Sequence, residues 1–181
     1  MSRVEDKKIA LLRGINVGGH RPVRMLDLRQ IALDLGYLNI KTYLQSGNLL
    51  FQSDASNAQI EQDLSASLAA HYPFDIPVIV RDAAMWNQVV AENPFKGEDF
   101  DHKQLHVCFV QKSVPLQALL NPFKEKFAPD RLVCGNRALY IRYDGVSHRS
   151  KLNLQFLEKQ LGSKCTARNW RSLLKIQSML T

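Results

Sequence analysis

Ile9-Ala10-Leu11-Leu12-Arg13-Gly14-Ile15-Asn16-Val17-Gly18-Gly19 decides how the chain is read, because an apolar run passes directly into a glycine-rich segment. The run predicts a strand over about residues 8 to 13. Three glycines in six residues then free the backbone to turn sharply and to expose N–H groups, a geometry that suits a bound anion. Working outward, Met25 to Leu35 places Leu28, Ile31, Ala32 and Leu35 on one helical face, and Gly36 ends that helix. A strand over 40–45, a turn at Ser46-Gly47-Asn48 and a strand over 49–52 read as a β-hairpin. Ser56 with Gln59 has the form of a capping box for a helix carrying Ile60, Leu64 and Leu68, and Pro77 to Arg81 forms a fourth strand. The order β-α-β-β-α-β is the split-βαβ, ferredoxin-like arrangement.

A helix after Asp82 carries Met85, Trp86, Val89 and Val90, and the polar stretch from Glu92 to Lys103 then interrupts the pattern. That interruption divides the chain into a first ferredoxin-like half with its linker helix, 1–92, and a second over 93–181. The second half begins with a strand over Leu105 to Val110. A helix from near Pro115 follows, with Leu116, Leu119, Leu120 and Phe123 on its buried face and Pro122 kinking or ending it. Arg131 to Cys134 and Ala138 to Tyr143 pair across Gly135-Asn136. Ser150 caps a helix bearing Leu154, Leu157 and Leu161, Gly162 stops it, and Lys164 to Ala167 is a short last strand before a terminal helix from Asn169. The two Gly-Asn turns, at Gly47-Asn48 and Gly135-Asn136, favour duplication of one unit. The fold class is therefore α/β in the α+β sense: two ferredoxin-like halves in tandem, plus a C-terminal helix.

Composition narrows the function. The 181 residues are 45% apolar, enough for a core, and carry a net charge of +7. The charge is uneven: residues 1–101 are net −3 and residues 102–181 net +10, which points to an anionic partner. No run approaches the roughly 20 apolar residues of a membrane span, and the polar start Ser2 to Lys8 lacks the apolar region of a signal peptide. A cytoplasmic protein without a membrane partner is expected. Cys108, Cys134 and Cys165 are far apart and sit in strand-like runs, so they read as buried reduced thiols. His71, His102, His106 and His148 lack metal-ligand spacing, and no nucleotide-binding or hydrolase signature is present, so neither metal nor cofactor is expected. The RNA-recognition signature is absent too. Ile9 and Leu11 alternate with Ala10 and Leu12, so both sheet faces are expected to be buried, against one another or under the extra helices.

The topology predicts two polar clusters. In a split-βαβ unit the loop after the first strand shares an end with the hairpin, which sets Arg13, Gly14, Asn16, Gly18, Gly19, His20, Arg21 and Arg24 near Gln45, Ser46 and Asn48. In the second half the same logic sets Ser147-His148-Arg149-Ser150-Lys151 near Arg168-Asn169-Trp170-Arg171. Guanidinium forks, amides and free N–H groups suit a phosphate or carboxylate. Cations at helix starts oppose the macrodipole unless something anionic binds there. Trp170, with Leu173 and Leu174 on its face, is expected to pack inward.

Ala10 to Gly19, Thr42-Tyr43-Leu44-Gln45-Ser46-Gly47-Asn48, Ser150-Lys151-Leu152 and Ala167-Arg168-Asn169-Trp170 together resemble the marks of the DUF1697 family, from about Ile9 to Leu180. The resemblance implies a compact bacterial α/β protein with ferredoxin-like halves, and supplies no activity or catalytic residue. Pro22 and Arg24 stand where relatives show a lysine followed by valine-proline. The expected function is binding of a phosphate-bearing ligand, a nucleotide or nucleic acid, through Arg13, Gly14, Asn16, Gly18, Gly19, Gln45, Ser46 and Asn48 and through Arg149, Lys151, Arg168 and Asn169. One alternative is an enzyme for a small anionic substrate, oriented by Arg13 and Asn16 with His20 or Ser46 moving a proton. The other is a protein-interaction module whose basic surface meets an acidic partner.

Overall fold

A computed structural model describes residues 6–181. The chain runs β1 (Asp6–Leu12), α1 (Met25–Asp34), β2 (Leu38–Tyr43), β3 (Asn48–Ser53), α2 (Asn57–His71), β4 (Val78–Asp82) and α3 (Ala83–Ala91). It continues with β5 (Leu105–Val110), α4 (Leu116–Leu120), β6 (Arg131–Cys134), β7 (Ala138–Arg142), α5 (Leu154–Leu161), β8 (Cys165–Asn169) and α6 (Trp170–Met179). The strands form two four-stranded sheets, β2-β3-β1-β4 and β6-β7-β5-β8, with antiparallel pairing throughout. The expected architecture holds: β-α-β-β-α-β occurs twice, each time followed by a further helix. One compact unit runs to Trp86 and takes in Leu180; the other spans Asn87–Met179 and takes in Thr181.

The strands sort their side chains by period two. In the first unit Ala10, Leu12, Leu49, Phe51, Val78 and Val80 join Leu28, Ile31, Ile60, Leu64 and Leu68 of the helices in one core. The alternate residues Ile9, Leu11, Leu50 and Ile79 are buried as well, so neither face of this sheet is open. The second unit follows the same rule. Cys108, Leu139, Ile141 and Cys165 meet Leu116, Leu120, Leu157 and Leu161. On the other face Val107, Phe109 and Tyr140 are buried, and the Tyr140 hydroxyl donates to Val89 O at 2.7 Å. Trp170, Leu173 and Ile176 are the buried residues of α6, which packs on β5 and β8. All three cysteines are buried and outside any disulfide, and burial pushes the Cys134 thiol up.

Local chemistry explains the element ends. The Ser56 Oγ accepts from Gln59 N at 3.2 Å, and left-handed Gly36 and Gly162 follow α1 and α5. Pro122 lies in a 3-10 turn, Asn121–Phe123, that ends α4. Ser150 is not the cap of α5. Asn153 takes that place, accepting from Phe156 N at 3.0 Å, while Ser150 donates to Asp130 Oδ2 at 2.6 Å and accepts from Leu152 N. The Gly-Asn echo is also looser than the sequence implies: Asn48 is buried at the start of β3, whereas Asn136 is an exposed turn residue before β7. A closer echo joins the last strands. Arg81 and Arg168 are both buried, and each donates Nη1 to the carbonyl of the residue before it. Asp82 and Asn169 end their strands and accept from Met85 N and Arg171 N, which starts α3 and α6 with no intervening loop.

Candidate functional site

The segment between β1 and α1 folds on itself. Asn16 N donates to Arg21 O at 3.1 Å and His20 N to Val17 O at 2.9 Å. Gly18 at φ +57 and Gly19 at φ +77 form the centre of that tight turn, the primed geometry that only residues tolerant of positive φ adopt. Val17 to His20 are exposed, and among the described residues neither central glycine N–H has a partner. Asn16 is itself left-handed, at φ +54, and its side chain closes the loop. Its Oδ1 accepts from Val23 N at 2.8 Å, and its Nδ2 donates to Val23 O at 2.9 Å and Gln45 O at 2.7 Å. The third bond reaches the β2–β3 turn, so loop and hairpin meet where the topology predicts. Leu12 N, donating to Gly47 O at 2.9 Å, makes a second stitch. At Gly47 a Cβ would come within 2.7 Å of Leu12 Cβ and 2.8 Å of Ile15 Cδ1, and its φ is +81, so both space and conformation require glycine.

The cations divide by their partners. Arg13 is half-exposed at the end of β1, where its N–H donates to Pro77 O. The Arg21 guanidinium lies over the Phe74 ring at 5.3 Å, with its Nε buried and unpaired; a Cβ on Gly14 would sit 3.3 Å from Arg21 Nη1. Arg24 is forked onto Asp27 at 2.9 Å, and that hydrogen bond holds the Asp27 carboxyl below its usual range. Ser46 and Gln45 are exposed. Asn48 is buried and donates to Tyr43 O at 2.6 Å and Ser46 Oγ at 3.1 Å.

The second group of predicted residues shares one end of the other sheet, since Arg142 and Asn169 flank Leu105 and His106 at the start of β5. The two segments are tied to different partners. Ser150 is bound to Asp130; Asn169 Nδ2 donates to Lys103 O at 3.0 Å, and Arg171 pairs with Asp101 at 3.1 Å. Arg168 is 6% exposed, and its Nη1 donates to Thr166 Oγ1 at 2.8 Å; burial lowers its pKa to about 10, so it keeps its charge at neutral pH. Arg149 and Lys151 are exposed. Of the predicted site residues, Asn16, Asn48, Arg168 and Asn169 therefore spend their side chains on the chain itself. Phe74, the platform under Arg21, escaped the sequence reading because one aromatic before a strand carries no signal of what stacks on it.

Residues 6–140 match the family model described as a protein of unknown function, DUF1697. The chain belongs to that family. Both glycine-bearing motifs of the first unit lie inside the matched DUF1697 span, and the motifs around Ser150 and Arg168 lie beyond it. A solved structure, that of a conserved bacterial protein, SP0830, from Streptococcus pneumoniae, is 24% identical and covers 98% of this chain and 99% of its own, with a TM-score of 0.79. That likeness is one of fold. No curated protein matches the chain. No helix among the described residues is long and apolar enough to cross a membrane, and no group of three or more His, Cys, Asp or Glu residues among them is placed to hold a metal ion.

Proposed function

We propose that the protein binds a phosphate-bearing ligand, a nucleotide or a nucleic-acid strand, at the glycine turn of its first unit. One observation carries this reading: two consecutive left-handed glycines at an exposed tip present unpartnered N–H groups, with Arg13, His20 and Arg21 on the same loop. Backbone N–H groups gathered in a turn bind anions without the reorganisation that long side chains need. The Asn16 latch supports it further, because it holds the turn against the hairpin before any ligand arrives. Arg149 and Lys151 are exposed in the net-positive second half, which adds long-range attraction for a polyanion.

The test is titration of the full chain with a nucleoside monophosphate and with a short single-stranded oligonucleotide at low salt, followed by calorimetry. Arg13→Ala is expected to weaken both ligands about tenfold, the scale of one charge-assisted hydrogen bond. Arg149→Ala with Lys151→Ala is expected to weaken the oligonucleotide alone and to flatten its salt dependence. Absence of binding, or binding indifferent to Arg13→Ala, refutes the reading. A second reading has its own support: Val17 is 66% exposed and Leu44, held at φ +59, is 51% exposed, on the tips of two stitched loops. Exposed apolar tips suit a protein partner, and copurification that is lost in Val17→Ser would favour it.

A further inference from the structure

The segment between α3 and β5 is a strap clamped to the sheet of its own unit, the second. Glu98 accepts from Arg131 Nη1 at 3.0 and 2.8 Å and from Arg142 Nη1 at 2.6 Å. The same two guanidiniums lie over strap aromatics, Arg131 at 4.8 Å from the Phe95 centroid and Arg142 at 5.6 Å from that of Phe100. Asn169, at the end of β8, holds the far end of the strap through Lys103 O. Beneath this fixed segment lies a cavity of about 360 Å³. Its lining includes Phe95, Phe100 and Trp170, with Phe95 1% and Trp170 5% exposed and Phe95 set edge-on to Phe100 at 6.1 Å.

The polar lining is one-sided. Lys96 offers an ammonium, and His102, tilted against Phe100 with ring centroids 5.9 Å apart, a ring N–H. Asn93, also in the lining, has its Oδ1 committed to Phe95 N at 3.0 Å, which leaves Nδ2 as its donor. Among the described residues the lining carboxylate is Glu98, already neutralised by two guanidiniums. An aromatic lining suits a planar ring, and an ammonium beside a carboxylate already paired with two guanidiniums suits an anionic group. We infer that this cavity is a binding site for a small planar aromatic anion, a mono- or bicyclic ring bearing a carboxylate or phosphate. Lys96 and His102 meet the charge, and Phe100 and Trp170 meet the ring. This site is separate from the glycine turn and does not depend on it.

The test uses the full chain and three probes: 2-naphthoate, its uncharged analogue 2-naphthamide, and cyclohexanecarboxylate, which keeps the charge and loses the flat ring. Amide-resolved NMR is expected to show 2-naphthoate shifting the backbone signals of residues 93–102 and the Trp170 indole. The amide and the cyclohexane acid should each bind at least about tenfold more weakly. Lys96→Met removes an exposed side chain from the strap without touching the Glu98 clamp. It should reduce 2-naphthoate affinity to about that of 2-naphthamide and leave 2-naphthamide unchanged, because the charge preference of roughly tenfold is assigned to that ammonium. Three results each overturn the assignment: no shifts in the strap at millimolar probe, equal affinity for acid and amide, or shifts confined to Gly18 and Gly19. The last would put the probe in the first unit's turn.

Discussion

Replacing Asn16 with alanine should loosen the end of the first unit more than its half-exposed position implies. The side chain makes three hydrogen bonds, two of them to the backbone of Val23, which is 2% exposed. At about 1 kcal/mol net apiece, with the Val23 groups left unsatisfied, their loss costs about 2–3 kcal/mol. Alanine at φ +54 adds about 1 kcal/mol of conformational strain that asparagine largely avoids. The expected total is therefore about 3–4 kcal/mol, read by urea denaturation with far-ultraviolet circular dichroism. Asn16→Gly separates the two contributions: it loses the bonds and keeps the left-handed conformation, so it should recover about 1 kcal/mol relative to alanine. Hydrogen exchange at Val23 N should accelerate in both variants. If Asn16→Ala lies within about 0.5 kcal/mol of the parent, or if glycine is no better than alanine, the latch is not what holds the loop to the hairpin.

Three further outcomes follow from the packing. Gly47→Ala meets Leu12 and Ile15 below 3 Å at a left-handed position, so it should cost at least about 2 kcal/mol in the same denaturation assay, and Leu12→Ala should not restore it. Burial raises the Tyr37 phenol to about 12 and pushes Tyr143 and Tyr140 up further, so the folded state favours the neutral phenols. Unfolded tyrosines ionise near pH 10, and stability should therefore hold below that pH and fall as pH rises through the folded values, with tyrosinate absorbance appearing together with loss of helix signal. Burial lowers the His106 pKa, so its contribution is present above the unfolded value near 6.5 and is lost as pH falls through the folded one; His106→Phe should flatten stability between about pH 7 and 5.

Much of this fold was legible because its signals are periodic. Leu28, Ile31 and Ala32 of α1 and Ile60, Leu64 and Leu68 of α2 sit at helical spacing, and each set is buried. The alternation of Ile9, Ala10, Leu11 and Leu12 in β1 correctly implies two buried faces. Adjacency of the glycine loop and the hairpin was legible too, since strand direction alone decides which loops share an end. What side chains do within a loop was not legible. Asn16 and Asn48 look like ligand amides in sequence, yet both satisfy backbone groups, and no periodicity tells an amide that faces solvent from one that closes a turn. Arg168 illustrates the same limit, because strand parity sets its face and only packing shows that the face is covered. The strap from Glu92 to Lys103 reads as a polar boundary, while its value lies in long-range partners, Glu98 with Arg131 and Arg142, that sequence spacing does not encode.

The most direct measurement is an amide-resolved NMR titration of the full chain with inorganic phosphate at constant low ionic strength, with chloride as the control. The account predicts that the Gly18, Gly19 and His20 amides move first and saturate together, and that Arg13→Ala weakens the response while leaving the rest of the spectrum unchanged. Phosphate shifts spread over the basic surface of the second unit, with the Gly18 and Gly19 signals still, would contradict it.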